Sequence, residues 1–138
     1  MLNPHYVIGL VDGEGSFTVY IPTKETKRRA KAEPRFYLKL NERDKDILYA
    51  LKNFFKCGNV YFQKDRRENH QDCYRYEVAN RNDLERIIIP FFRKYRLNLE
   101  TKRKDFKIFC EIMRRISRGE HLTNSGLKNL YRLKQKMH

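Results

Sequence analysis

The sequence predicts an α+β fold in which helices cover one face of a four-stranded antiparallel sheet. Two pairs of short segments alternate apolar and polar residues with period two, and each pair is followed by apolar residues at helical spacing. The third observation is length. A chain of 138 residues suits one domain, residues 1–138, which can bury about two-thirds of its unfolded surface. The expected order is α-β-β-α-β-β-α with further helices at the C-terminus.

The stretch 6-YVIGLVDGEGSF-17 begins as an apolar helix and ends on Asp12-Gly13-Glu14-Gly15. Phe17, Val19 and Ile21 then alternate with Ser16, Thr18 and Tyr20 in a first strand, which Pro22 ends. Segment 23-TKETKRRAKAEPR-35, with six basic and two acidic residues, reads as a charged loop. The second strand places Phe36, Leu38 and Leu40 on one face and Arg35, Tyr37, Lys39 and Asn41 on the other. Asp44 is the expected cap of a helix carrying Ile47, Leu48, Leu51, Phe54 and Phe55. Cys57-Gly58-Asn59 turns the chain into a third strand, Val60 to Gln63. The polar segment 65-DRRENHQD-72 leads to a fourth, with Tyr74, Tyr76 and Val78 facing in and Arg75, Glu77 and Ala79 facing out. From Asn82, Leu84, Ile87, Ile88 and Phe91 follow helical spacing, a run that Pro90 should kink or split. Phe106, Phe109, Ile112, Met113 and Ile116 mark another helix, and Thr123 is the expected N-cap of a last one.

The charge balance narrows the function. Lysine and arginine number 31 against 17 acidic residues, a net charge of +14. So much positive charge opposes compaction by self-repulsion and implies a large anionic partner. A membrane is the weakest candidate, because no apolar run approaches the roughly 20 residues of a span. The start MLNPHYV lacks the layout of a signal peptide, so an intracellular location is expected, bacterial cytoplasm and organelle not being distinguished. Cys57, Cys73 and Cys110 lack a metal-binding spacing and read as idle thiols.

Nucleic acid fits the outward sheet face. Ser16, Thr18, Tyr20, Arg35, Tyr37, Lys39, Asn41, Tyr61, Gln63, Arg75 and Glu77 are candidate DNA contacts, several of a kind that reads base edges. Any half-buried antiparallel sheet has a polar outer face. Here, however, the hairpin tips are basic too, with Arg28 and Arg29 on one and Arg66 and Arg67 on the other. A polar sheet with basic tips suits a ribbon in the major groove with its tips on phosphates.

Two carboxylates at the end of a helix oppose the macrodipole, which prefers cations there. One account is a glycine-terminated helix with its acids in water. The other is a hard divalent cation such as Mg²⁺ or Mn²⁺, which takes a carboxylate and a carbonyl freed by the helix end, then completes its shell with phosphate and water. A second copy of the turn would help. Gly9 and Gly13 lie four apart on one face and would let two such helices approach closely, the pairing surface comprising Ile8, Gly9, Asp12 and Gly13.

The segment 7-VIGLVDGEG-15 resembles the motif of LAGLIDADG homing endonucleases: Gly9, Asp12 and Gly15 match, and Glu14 stands at the motif's last acid. The resemblance extends through 36-FYLKLNERDKDIL-48, 58-GNVY-61, 83-DLERIIIPFF-92, 102-KRKDF-106 and 120-EHLTNSGLKNL-130. It implies a homodimeric, metal-dependent endonuclease of intron origin that cuts double-stranded DNA at a long palindromic or nearly palindromic site. By the same match Glu14 binds metal, the Gly13 carbonyl is a second ligand, and Asp12 is a structural helix-end residue. A peripheral lysine assists in the family, and Lys102 fits its offset from Asp105-Phe106 best, Lys104 being the alternative register. The segment 95-YRLNLET-101 departs from the family's Tyr-Pro-Leu-like stretch. Competing readings are an RNA maturase acting on intron RNA, a non-cleaving regulator on the same fold, and a basic RNA-binding structural protein. Only the last leaves 12-DGEG-15 unexplained.

Overall fold

Helix α1 (Pro4–Glu14) starts where Asn3 accepts the His5 N–H at 2.7 Å, with Pro4 at a position that needs no donor. It buries Val7, Ile8, Val11 and Asp12. Gly15 does not adopt the left-handed turn expected of a terminating glycine. Its backbone is extended, φ −80° and ψ 156°, so α1 runs straight into strand β1 (Gly15–Tyr20) with no loop between them. Glycine is required there for space: a Cβ would lie 2.6 Å from Val11 Cγ1 and 2.9 Å from the Val11 carbonyl oxygen.

The computed structural model describes residues 2–23, 31–64 and 72–138. Arg28, Arg29, Arg66 and Arg67 lie outside those residues. Strands β2 (Glu33–Asn41), β3 (Asn59–Gln63) and β4 (Cys73–Val78) complete a sheet of order β1-β2-β4-β3, antiparallel throughout. β2 begins at Glu33, inside the segment expected to be a loop. Pro34 pairs with Val19 where the β2–β4 ladder, which starts at Phe36↔Val78, has not yet begun. A proline is tolerated where a strand has only one neighbour.

The helices cover the inner face. Asn41, not Asp44, opens the next segment: its side chain accepts the Arg43 N–H at 3.1 Å, capping a 3₁₀ turn (Glu42–Asp44), while Asp44 makes no capping bond. Helix α2 (Lys45–Phe55) follows, then Gly58 at φ +82°, where a Cβ would meet the Glu77 carbonyl at 2.7 Å. After β4, Asn80 caps α3 (Arg81–Asp83), which widens into a π-helical turn (Leu84–Ile88) before α4 (Ile89–Lys94). Pro90 splits the run as expected. Lacking an N–H, it cannot serve the carbonyl four residues back, and the wider turn, with Ile89 N–H donating to the Leu84 carbonyl, takes up the mismatch. Helix α5 (Glu100–Ser117) and helix α6 (Asn124–Lys134) follow, Thr123 Oγ1 accepting the Gly126 N–H at 3.0 Å.

Phe17 is the hub of the core. Its ring lies 5.1 to 5.4 Å from those of Phe36, Phe92, Phe106 and Phe109, so the sheet, α4 and α5 all meet on the residue three positions after Glu14. No helix among the described residues is long and apolar enough to cross a membrane.

Replacing Gly15 by Ala is expected to destabilise the chain by about 1–3 kcal/mol, since the new methyl meets the fixed Val11 carbonyl as well as its side chain. A denaturant midpoint unchanged from the parent would count against this packing.

Candidate nucleic-acid interface

Both acids of the turn follow from helical geometry. Asp12 sits one residue after Val11 on the buried side of α1 and is 8% exposed, whereas Glu14 projects into solvent. The Asp12 carboxylate receives the Asn98 N–H at 3.0 and 3.1 Å through its two oxygens, and the Leu99 N–H at 3.2 Å. Leu99 is the N-cap residue of α5 and its side chain caps nothing. Asp12 therefore supplies, from 86 residues away, an acceptor that the helix start lacks locally, and it places negative charge at the positive end of a helix.

That arrangement brings Lys102 into place. Its Nζ donates to the Gly15 carbonyl, one residue after Glu14. Lys104, two positions along α5, points to nearly the opposite side. Of the two lysines, Lys102 is the one that reaches the turn. The candidate pairing surface needs a correction. Gly9 and Gly13 are on the open face, with nothing within 4 Å of a built Cβ, but Ile8 and Asp12 turn into the chain's own interior. Tyr6, half exposed, shares the open side of the helix with the two glycines.

As for a metal, no group of three or more His, Cys, Asp and Glu side chains converges among the described residues. With Asp12 committed to α5, one chain offers Glu14 and the helix-end carbonyls. This donor set fits a hard divalent cation only when phosphate oxygens, water and a second turn complete its shell.

The outer sheet face carries most of the expected contacts in register. Ser16, Tyr37, Glu77 and Asn59 form one row across all four strands, and Lys39, Arg75 and Tyr61 form the next. Thr18 pairs with Arg35 and Tyr20 with Glu33, while Asn41 and Gln63 flank Cys73. Within this face the Arg75 guanidinium stacks 3.6 Å over the Tyr37 ring and donates to Glu77 at 2.8 Å. Arg35 approaches the same Glu77 oxygen at 3.6 Å and Glu33 at 3.1 Å. Two expectations shift accordingly. Glu77, expected to accept from a base, is engaged by two arginines, and Asn41 spends its side-chain oxygen on Arg43. Glu33 and Asn59 join this face without having been expected there. Glu33 has the period-2 spacing from Arg35, but Pro34 argues for a loop; Asn59 reads equally well as the last turn residue. Tyr20, Lys39, Tyr61 and Gln63 remain exposed.

The chain is similar to known proteins over nearly its whole length. A family model described as LAGLIDADG endonuclease matches residues 7–113. A "probable intron-encoded endonuclease 2" of Neurospora crassa is 35% identical over 94% of the chain and 28% of its own length. Homing endonuclease I-ApeII of Aeropyrum pernix is 31% identical over 84% of the chain and 65% of its own length. The chain spans between 25% and 35% of the length of the first curated relatives. Among solved structures, the homing endonuclease I-TnaI superposes with a TM-score of 0.82 at 37% identity, covering 99% of this chain and 88% of that one. I-SmaMI, a LAGLIDADG homing endonuclease bound to cleaved DNA, gives 0.85 at 28% identity, covering 99% of this chain and 44% of that one.

Removing the Asp12 carboxylate as Asp12→Ala should cost about 1–3 kcal/mol, because the Asn98 and Leu99 N–H groups are left without a buried acceptor. Asp12→Asn keeps one acceptor oxygen and should cost less. Thermal unfolding of the three proteins measures both, and an Ala variant as stable as the parent would show that water serves those groups equally well.

Proposed function

Because the chain belongs to the LAGLIDADG endonuclease family, we propose that it is a site-specific endonuclease that hydrolyses double-stranded DNA with Mg²⁺ or Mn²⁺. The observation that carries this reading is the pairing at the α1–β1 junction: Glu14 free in solvent, and Lys102 held beside it on the Gly15 carbonyl. Glu14 and the Gly13 carbonyl would hold the cation. A bound divalent cation supplies charge neutralisation at the scissile phosphate and a more acidic water. Lys102 places a fixed ammonium next to the same turn, where it can offset charge building on the phosphate as water adds at phosphorus and the 3′-oxygen leaves. The sheet face supplies site recognition, with Arg75 pre-set by Tyr37 and Glu77 to meet a base edge and the exposed Tyr20, Lys39, Tyr61 and Gln63 alongside.

One carboxylate per chain suits a homodimer, paired through the open face of α1 across a two-fold axis. That symmetry favours a target whose halves are related by the same axis. Relatives named as intron-encoded endonucleases support an intron origin.

Purified protein is expected to cut discrete sites in a randomised DNA library with Mg²⁺ and not with chelator, while Glu14→Gln binds without cutting. Binding with no cleavage in any divalent cation would overturn the catalytic reading and favour a maturase or regulator. Gly9→Leu tests pairing separately. Its side chain has room in the chain, and leaving glycine favours a helix by up to about 1 kcal/mol. Unfolding temperature should hold or rise while light scattering reports a monomer; a variant that stays dimeric removes this face from the interface.

A further inference from the structure

A second cationic feature lies away from the sheet. Between α4 and the first half of α5 a cleft of about 400 Å³ is ringed by Arg93, Arg96, Arg103 and Lys107 over an apolar floor of Phe92 and Leu97. Arg35, Arg75, Arg114 and Arg115 each have a carboxylate partner. The four cations of the cleft have none among the described residues, and no Asp or Glu lines it. Cys110 in its wall stays neutral, burial pushing its thiol up to about 11 against the pull of Arg93. At neutral pH the cleft therefore presents positive charge alone, on four exposed side chains that line one recess. Such an arrangement is stabilised by an anion.

Position identifies the anion. Leu97 and Arg103 line the cleft, and the residues between them include Asn98 and Leu99, which bind Asp12, and Lys102, which binds the Gly15 carbonyl. The chain that lines the cleft is thus continuous with the segment that grips the junction carrying Glu14. We propose that it holds a backbone phosphate of the same DNA strand that passes over that junction, a short way beyond the phosphate facing Glu14. This rests on the reading of the junction and sheet as a DNA site. The apolar floor suits the sugar carried by such a phosphate, and a cavity of this size admits both.

The test is the salt dependence of DNA binding by the full chain carrying Arg96→Gln with Arg103→Gln. Both side chains are exposed and bond to no other side chain among the described residues, so a thermal melt should match the parent. Each phosphate that the protein no longer neutralises lowers the slope of log affinity against log salt by about 0.9. The slope for the double variant on duplex DNA should therefore fall by about 1. Its affinity deficit should shrink about three- to fourfold between roughly 50 and 200 mM salt. Arg118→Gln with Arg132→Gln removes equal charge elsewhere and should change the slope less. An unchanged slope, or an equal fall in the control pair, overturns the site. A fall seen on single-stranded oligonucleotide but not on duplex overturns the assignment to the bound duplex. Cutting is scored separately: a wild type that binds with the expected slope but never cuts keeps this site and loses the endonuclease reading. A wild type that cuts while both variants keep its slope loses this site alone.

Discussion

The interaction on which the rest depends is the Asp12 carboxylate on the Asn98 and Leu99 N–H groups. It ties α1 directly to the start of α5, and it sets the distance between the residues on either side of it. Asp12 turns inward on the buried stripe of α1. Two residues later, helical rotation carries Glu14 to the opposite side, into solvent. Three residues after Leu99, Lys102 reaches back to the Gly15 carbonyl. A carboxylate and an ammonium with quite different sequence origins are therefore presented together because a third group, an acid that is itself buried, ties their two helices.

The absence of a loop between α1 and β1 makes this placement rigid. Glu14 is the last helical residue, Gly15 the first of the strand, and Phe17 is already clamped among four aromatic rings. A backbone held from both directions loses little further freedom when its side chain meets a ligand, so the backbone's ordering cost is met at folding and not at binding. The outer sheet face uses the same device more weakly. Arg75 is stacked on Tyr37 and tethered by Glu77, yet these groups are partly solvated, and such pairs contribute little to stability. Their effect is orientation.

Much of this is legible in the sequence. Strand alternation places Ser16, Thr18, Tyr37, Lys39, Arg75 and Glu77 on one face, and helical spacing identifies the core residues Leu48, Leu51, Phe109, Ile112 and Ile116. What is not legible is decided between distant parts of the chain. Pro34 reads as a strand breaker unless β4 is known to stop short of it. Asp44 has the better cap chemistry in isolation, but Asn41 is where β2 ends and a 3₁₀ turn begins. Nothing near Asn98 announces that its N–H meets Asp12. At the turn itself, a glycine ending a helix suggests a left-handed backbone, whereas the constraint on Gly15 is the space occupied by Val11.

The distribution of charge explains why acid stands in a basic chain. At the junction and on the outer sheet face, Asp12 is engaged on α5, Glu77 and Glu33 on arginines, and Glu14 lies in solvent. The excess of cations costs the folded state through self-repulsion. Any polyanion that binds the folded chain and not the unfolded one removes part of that cost and adds stability that grows with its concentration relative to its dissociation constant. On the proposed function the chain's net charge and its exposed turn carboxylate serve one purpose. The first would draw in the nucleic-acid backbone. The second, beside Lys102, would mark the place on α1 where a metal rather than a phosphate is the better partner.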